Sequence, residues 1–124
     1  DEAVADWRPA EPAGTKIKAD KSRFAALRLT ENPDILQTTS QREAGRPDLV
    51  IGFAAETHDV EAIATAKRIR KGCDWIVAND VAGDVMGGAE NAVILITEQG
   101  GEYWQRAPKA QIAAQLASRI AEAL

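Results

Sequence analysis

Short apolar runs alternate with polar, glycine- or proline-bearing stretches along the chain, and the runs follow two different periods. Ala3-Val4-Ala5 has the composition of the tail of a buried strand. The polar stretch from Asp6 to Asp20 contains prolines and no helical period, so it reads as a loop. Phe24 to Thr30 alternates loosely between apolar and polar residues, as a half-buried strand does. Asn32-Pro33-Asp34 is a helix-start signal, with Pro in the first turn, and predicts a short helix from about Pro33 into the Gln41 region.

Leu49 to Ala55 is a continuous apolar run between Arg46-Pro47-Asp48 and Glu56, the pattern of a central strand covered on both faces. Thr57 or Asp59 can cap the helix that follows, in which Ala62, Ile63, Ala66 and Ile69 recur at helical spacing up to Gly72. Asp74 to Ala78 then supplies a second buried strand, and strand, helix and strand together have the size of a βαβ unit with a parallel pair. Beyond the glycine-rich stretch Gly83 to Gly88, Ala92 to Ile96 and Glu102-Tyr103-Trp104 flank Gln99-Gly100-Gly101 as a hairpin. Ile112, Leu116, Ile120 and Leu124, spaced by four after Pro108, predict an amphipathic helix packed on the sheet. The expected fold is α/β, a Rossmann-like three-layer domain with a mostly parallel sheet and a C-terminal β-hairpin plus helix. In such sheets ligands bind beyond the carboxyl ends of the strands, which places Asp6, Glu56 and Asn79-Asp80 near any site.

Composition narrows the function classes. A chain of 124 residues is one domain at most and can bury a core without disulfide or metal staples. Its 15 basic and 19 acidic residues leave a net charge of -4, which argues against nucleic acid as a partner. No apolar run approaches the roughly 18 residues of a membrane span. Cys73 stands alone, so an internal disulfide is excluded and a reducing, cytoplasmic setting is expected. The opening Asp1-Glu2 runs into an apolar segment with no Met, basic region or turn before it, and reads as a start inside a larger protein.

The residues offer several candidate sites, each with an ordinary structural alternative. Asp6 together with Lys16 and Lys18 on a loop suits a triphosphate and its Mg²⁺, but also describes a solvated loop. Lys67 and Lys71 share a helix face that can contact phosphate, while a basic last turn equally complements the helix dipole. Asn32 to Ile35 presents free N–H groups to an anion or a base edge, or is an everyday cap. Gly87-Gly88 matches no phosphate-loop spacing, and His58 has no triad partner at a telling distance. Trp75 is expected in the core and Trp104 on the hairpin.

In this order, Ala3 to Pro9, Lys16-Ile17-Lys18, Asn32 to Ile35, Gly52 to Thr57, Lys67 to Lys71, Ala78 to Val81 and Asn91-Ala92-Val93 resemble phosphopantothenoylcysteine synthetase. The resemblance covers nearly the whole chain. It implies a CTP-dependent ligase that joins 4'-phosphopantothenate to L-cysteine through an acyl-cytidylate, working as a homodimer with Mg²⁺. It implies that Lys16 is the catalytic lysine of a flexible flap and that Asp6 serves nucleotide or metal binding. By the same resemblance Pro33, Asp34, Ile35 and Leu36 border the nucleotide, Phe53 lies against it, and Lys67 and Lys71 supply paired positive charge. Residues 1–124 then form the C-terminal part of the synthetase domain, without its nucleotide-loop half and without the FMN-dependent decarboxylase domain that bacterial members carry. Such a piece is expected to be inactive by itself. The sequence departs from the family where Ala19 and Asp20 intervene before Lys21, and at Asp1-Glu2. A non-catalytic nucleotide-binding or dimerisation module is the alternative reading, followed by a generic α/β interaction domain.

Overall fold

The computed structural model describes residues 5–10, 28–82 and 90–124. The chain divides into two units, Asp1–Asp34 and Ile35–Leu124. In the first unit, β1 (Trp7–Pro9) pairs antiparallel with β2 (Leu29–Glu31). The stretch read as loop from Asp6 to Asp20 therefore opens with a strand. Three residues are too few to show a period, and the ladder partners lie twenty or more residues away, so only pairing reveals the strand. Ala3 and Val4, residues 11–20 of the loop, and residues 24–27 of the expected Phe24 to Thr30 strand lie outside the described residues.

The second unit begins with α1 (Ile35–Ser40), then β3 (Ile51–Glu56), α2 (Val60–Lys71) and β4 (Trp75–Asp80). β3 and β4 run parallel with Ile51 opposite Trp75 and Glu56 opposite Asp80, so the expected βαβ unit is present. α2 stops where the sequence indicates. Gly72 adopts φ 81 and its N–H donates to the Arg68 carbonyl, a turn that costs a residue with a Cβ more than it costs glycine. At the other end Asp59 sits at φ 43 and makes no side-chain cap, leaving its carbonyl to receive the Ile63 N–H.

β5 (Glu90–Thr97), β6 (Gly100–Tyr103), the short β7 (Ala107–Pro108) and α3 (Lys109–Ala123) complete the unit. The sheet order is β3-β4-β5-β6, with β7 also paired to β5. The α/β layering is as expected, but the sheet is mixed: β3–β4 is its parallel pair, and β4–β5, β5–β6 and β5–β7 are antiparallel. Apolar composition announces a buried strand and is silent about its direction. The hairpin turn is tighter than Gln99-Gly100-Gly101, since Thr97 already pairs with Gly100, which takes φ 118.

Alternation along the strands separates two apolar layers. Ile76, Ala78, Ile94 and Ile96 face α2, while Val77, Val93 and Leu95 join Trp104 and Ile112 on the α3 face. Ile76, Leu95 and Ile96 are fully buried, and each contributes about 1.5–3 kcal/mol relative to exposure. Trp104, expected on the hairpin, is a core residue just past the end of β6. Trp75 is half-buried, with the Arg119 guanidinium over its ring. Along α3 the stripe drifts: Ile112 is buried, Leu116 and Ile120 are half-buried, and Leu124 is exposed. Steps of four residues overshoot a 3.6-residue turn by about 40° each, so three steps carry the side chain off the sheet.

Candidate functional site

Glu56 and Asp80 end β3 and β4 as register partners and, two residues beyond the α2-facing Ala54 and Ala78, share that face. Lys67 of α2 reaches back to form an ion pair and hydrogen bond with Glu56 Oε1, the carboxylate side chain being 14% exposed and the lysine 36%. The Asp80 carboxylate accepts the Ala82 N–H at 2.9 Å, and the Val81 N–H donates to the Glu56 carbonyl at 3.0 Å. Lys67 is thus held at the carboxyl pole of the parallel pair with its charge partly offset. Lys71, one turn on, is the half-buried last residue of α2.

The opposite face carries an apolar cleft of about 510 Å³ between α3 and the ends of β3 and β4. Phe53, 73% exposed, forms one wall, with Ala55, Asn79, Asn91, Lys109 and Ile112 around it. Asn79 Oδ1 is buried there without a hydrogen-bond partner. Phe53 and Lys67 therefore lie on opposite faces of the sheet, a separation that the one-residue alternation of β3 imposes. Of the remaining second-unit candidates, Ile35 is exposed, whereas Leu36 packs into the α2-face core against Gly52.

Within the first unit the sequence candidates Asp6, Pro33 and Asp34 come together through Asn32. The Asn32 N–H donates to the Asp6 carbonyl at 2.8 Å, and its side-chain amide donates to the Ala5 carbonyl at 2.7 Å. Arg8 donates to the Asn32 Oδ1 and to the Glu31 carbonyl. Asp6 is exposed, Pro33 exposed and Asp34 half-buried. Lys16, Lys18, Ala19, Asp20 and Lys21 lie outside the described residues, as do Gly87 and Gly88. From the sequence Asn32 is expected only as part of a helix start or cap and Arg8 has no role, because the bond between them joins residues far apart in the chain. Nor does local sequence show that Lys67 is the partner of Glu56.

Among the described residues two groups have displaced titrations, and neither belongs to these candidates. Burial pushes the Cys73 thiol above its ordinary range, partly opposed by backbone hydrogen bonding and by Arg68. The hydrogen bond to Glu61 raises the Tyr103 phenol. His58 is exposed and close to the Thr57 hydroxyl, at 3.2 Å. Among the described residues no group of three or more His, Cys, Asp or Glu side chains could hold a metal. A Mg²⁺ that arrives on a triphosphate needs only one or two protein carboxylates, and Asp6 is an exposed one.

Residues 2–124 match the family model of the DNA/pantothenate metabolism flavoprotein C-terminal domain. The chain belongs to this family. It is 39% identical over 121 residues to the coenzyme A biosynthesis bifunctional protein CoaBC of Haemophilus influenzae, a match covering 97% of the chain and 30% of that protein. The corresponding protein of Escherichia coli K12 is 42% identical over 102 residues, covering 79% and 25%. The chain thus spans less than a third of the length of these relatives. A crystal structure of the C-terminal domain of a CoaBC protein superposes with a TM-score of 0.68 at 30% identity, over 96% of this chain and half of that one. The DNA/pantothenate metabolism flavoprotein of Streptococcus pneumoniae shares the fold, with a TM-score of 0.66 at 20% identity, over 98% of this chain and 57% of that one. Among the described residues no helix of this family member is long and apolar enough to cross a membrane.

Proposed function

We propose that the chain is the C-terminal part of a phosphopantothenate–cysteine ligase that uses CTP. The observation that carries this reading is its likeness, over 97% of its length, to a bifunctional protein of coenzyme A biosynthesis. In the proposed reaction the carboxylate of 4'-phosphopantothenate attacks the α-phosphorus of CTP, forming the acyl-cytidylate and releasing pyrophosphate. The amine of L-cysteine then attacks the acyl carbon, forms the amide, loses a proton and releases CMP.

The chain's own residues divide this work by chemistry. Lys16 offsets the charge that develops at phosphorus, Asp6 would hold a Mg²⁺ brought by the triphosphate, and Lys67 and Lys71 meet phosphate oxygens. Pro33, Asp34, Ile35 and Leu36 border the nucleotide, although Leu36 also has the packing role described above. Phe53 offers an exposed ring to a base or an apolar substrate segment. The working form is a cytoplasmic homodimer, with FMN confined to a decarboxylase part outside these residues.

The test is pyrophosphate release by the full-length protein with CTP, phosphopantothenate and cysteine. Lys16→Ala is expected to lower kcat at least 100-fold, about 2.7 kcal/mol of lost transition-state stabilisation. Unchanged ligation in that variant would remove the lysine from the mechanism and favour a binding module. Replacing CTP by ATP is expected to lower kcat/KM.

A further inference from the structure

We infer that Glu56 is a positioning residue for the nucleotide: it holds the Lys67 ammonium at the carboxyl pole of β3 before any ligand arrives. The inference rests on the proposed role of Lys67 and adds to it a residue that contacts no substrate. A lysine recruited for phosphate should present its charge, yet Lys67 Nζ is bonded to a carboxylate whose side chain is only 14% exposed.

Geometry resolves the conflict. A lysine carries three N–H donors on a stem with large rotamer freedom, and an unrestrained one loses that freedom when a ligand binds. Glu56 takes one donor and leaves two for phosphate oxygens. The Glu56 backbone is itself placed by the sheet, because it ends the parallel ladder and its carbonyl accepts the Val81 N–H at 3.0 Å. Its register partner Asp80 is engaged locally by the Ala82 N–H. The strand thereby fixes the backbone that bears the carboxylate, and the largely buried carboxylate restrains the cation.

This arrangement predicts the opposite of simple electrostatics. If Glu56 merely diluted positive charge, neutralising it would strengthen binding of the triphosphate. If it positions Lys67, neutralising it weakens binding although the site becomes more positive. In the full-length protein, Glu56→Gln is expected to raise KM for CTP about three-fold and Glu56→Ala about ten-fold, with kcat within two-fold of the parent. Lys67→Ala is expected to raise the same KM, and neither Glu56 substitution should raise it further in the Lys67→Ala background. Should Glu56→Ala not fold, judged by circular dichroism, the isosteric Glu56→Gln carries the test. A KM for CTP that falls or stays level in Glu56→Gln, while Lys67→Ala raises it, overturns the positioning role and leaves the ligase reading standing. A parent protein that does not ligate, or a Lys67→Ala variant with unchanged KM, overturns the nucleotide role of Lys67 and the inference with it.

Discussion

The Arg8 guanidinium donates to the side-chain carbonyl of Asn32 at 3.0 Å, joining β1 to the residue that follows β2. Asn32 completes the clasp with its own two donors, which reach the carbonyls of Ala5 and Asp6. One polar residue thereby organises the backbone around Asp6, Pro33 and Asp34. Its removal should loosen that backbone and leave the second unit untouched.

Asn32→Ala is expected to speed amide exchange in β1 and β2 about five-fold, near 1 kcal/mol, the usual net worth of a hydrogen bond. Amides of β4 and β5 should keep their protection. Unchanged exchange in β1 and β2 would mean that the ladder between them holds without the clasp.

At Gly52 the requirement is space and not backbone angle. A methyl group there would lie 2.6 Å from Leu36 Cδ2, so Gly52→Ala is expected to cost about 1–3 kcal/mol in urea unfolding. Leu36→Ala frees that space at the expense of buried apolar contact. The double variant should therefore be less destabilised than the sum of the two singles, by about 1 kcal/mol. Additive effects would show that the side chain moves aside freely.

Asp74 joins the segment before β3 to the start of β4. Its carboxylate accepts the Val50 N–H at 2.8 Å and pairs with Arg46 at 3.0 Å. The ion pair is partly exposed and worth less than about 1 kcal/mol, so the buried Val50 amide decides the outcome. Asp74→Ala should lose about 1–3 kcal/mol, and Asp74→Asn, which keeps an acceptor for that amide, clearly less. Equal losses would place the weight on the charge instead.

Tyr103 is the chain's one tyrosine, so its ionisation can be followed without overlap by ultraviolet titration. The hydrogen bond to Glu61 raises its pKa in the folded state. A raised folded value means that this contribution to stability is present in full below the unfolded pKa of about 10 and is lost as pH rises beyond it. Native protein should titrate at higher pH than urea-unfolded protein. In Glu61→Gln the native midpoint should move back towards the unfolded one.

Much of this molecule could be read directly from the order of its residues. The stop at Gly72 and the helix behind Pro108 each depend on neighbours within a turn, and each appears where local period and capping chemistry put it. The apolar run before Glu56 does form a strand, but β3 ends the order of the described strands and leaves Phe53 exposed, where a central strand covered on both faces was expected. Candidate cations and acids were visible for the same reason, since charge is a property of the residue. Tertiary structure alone decided that β4 and β5 are antiparallel, that Trp7–Pro9 is a strand, and that Trp104 is buried. It also decided the partnership of Glu56 with Lys67 and the placing of Phe53 on the other face of the sheet from it. These outcomes depend on which distant segments meet and on which side of a pleated strand each side chain emerges. Pairing partner and register set both, and short-range periodicity encodes neither.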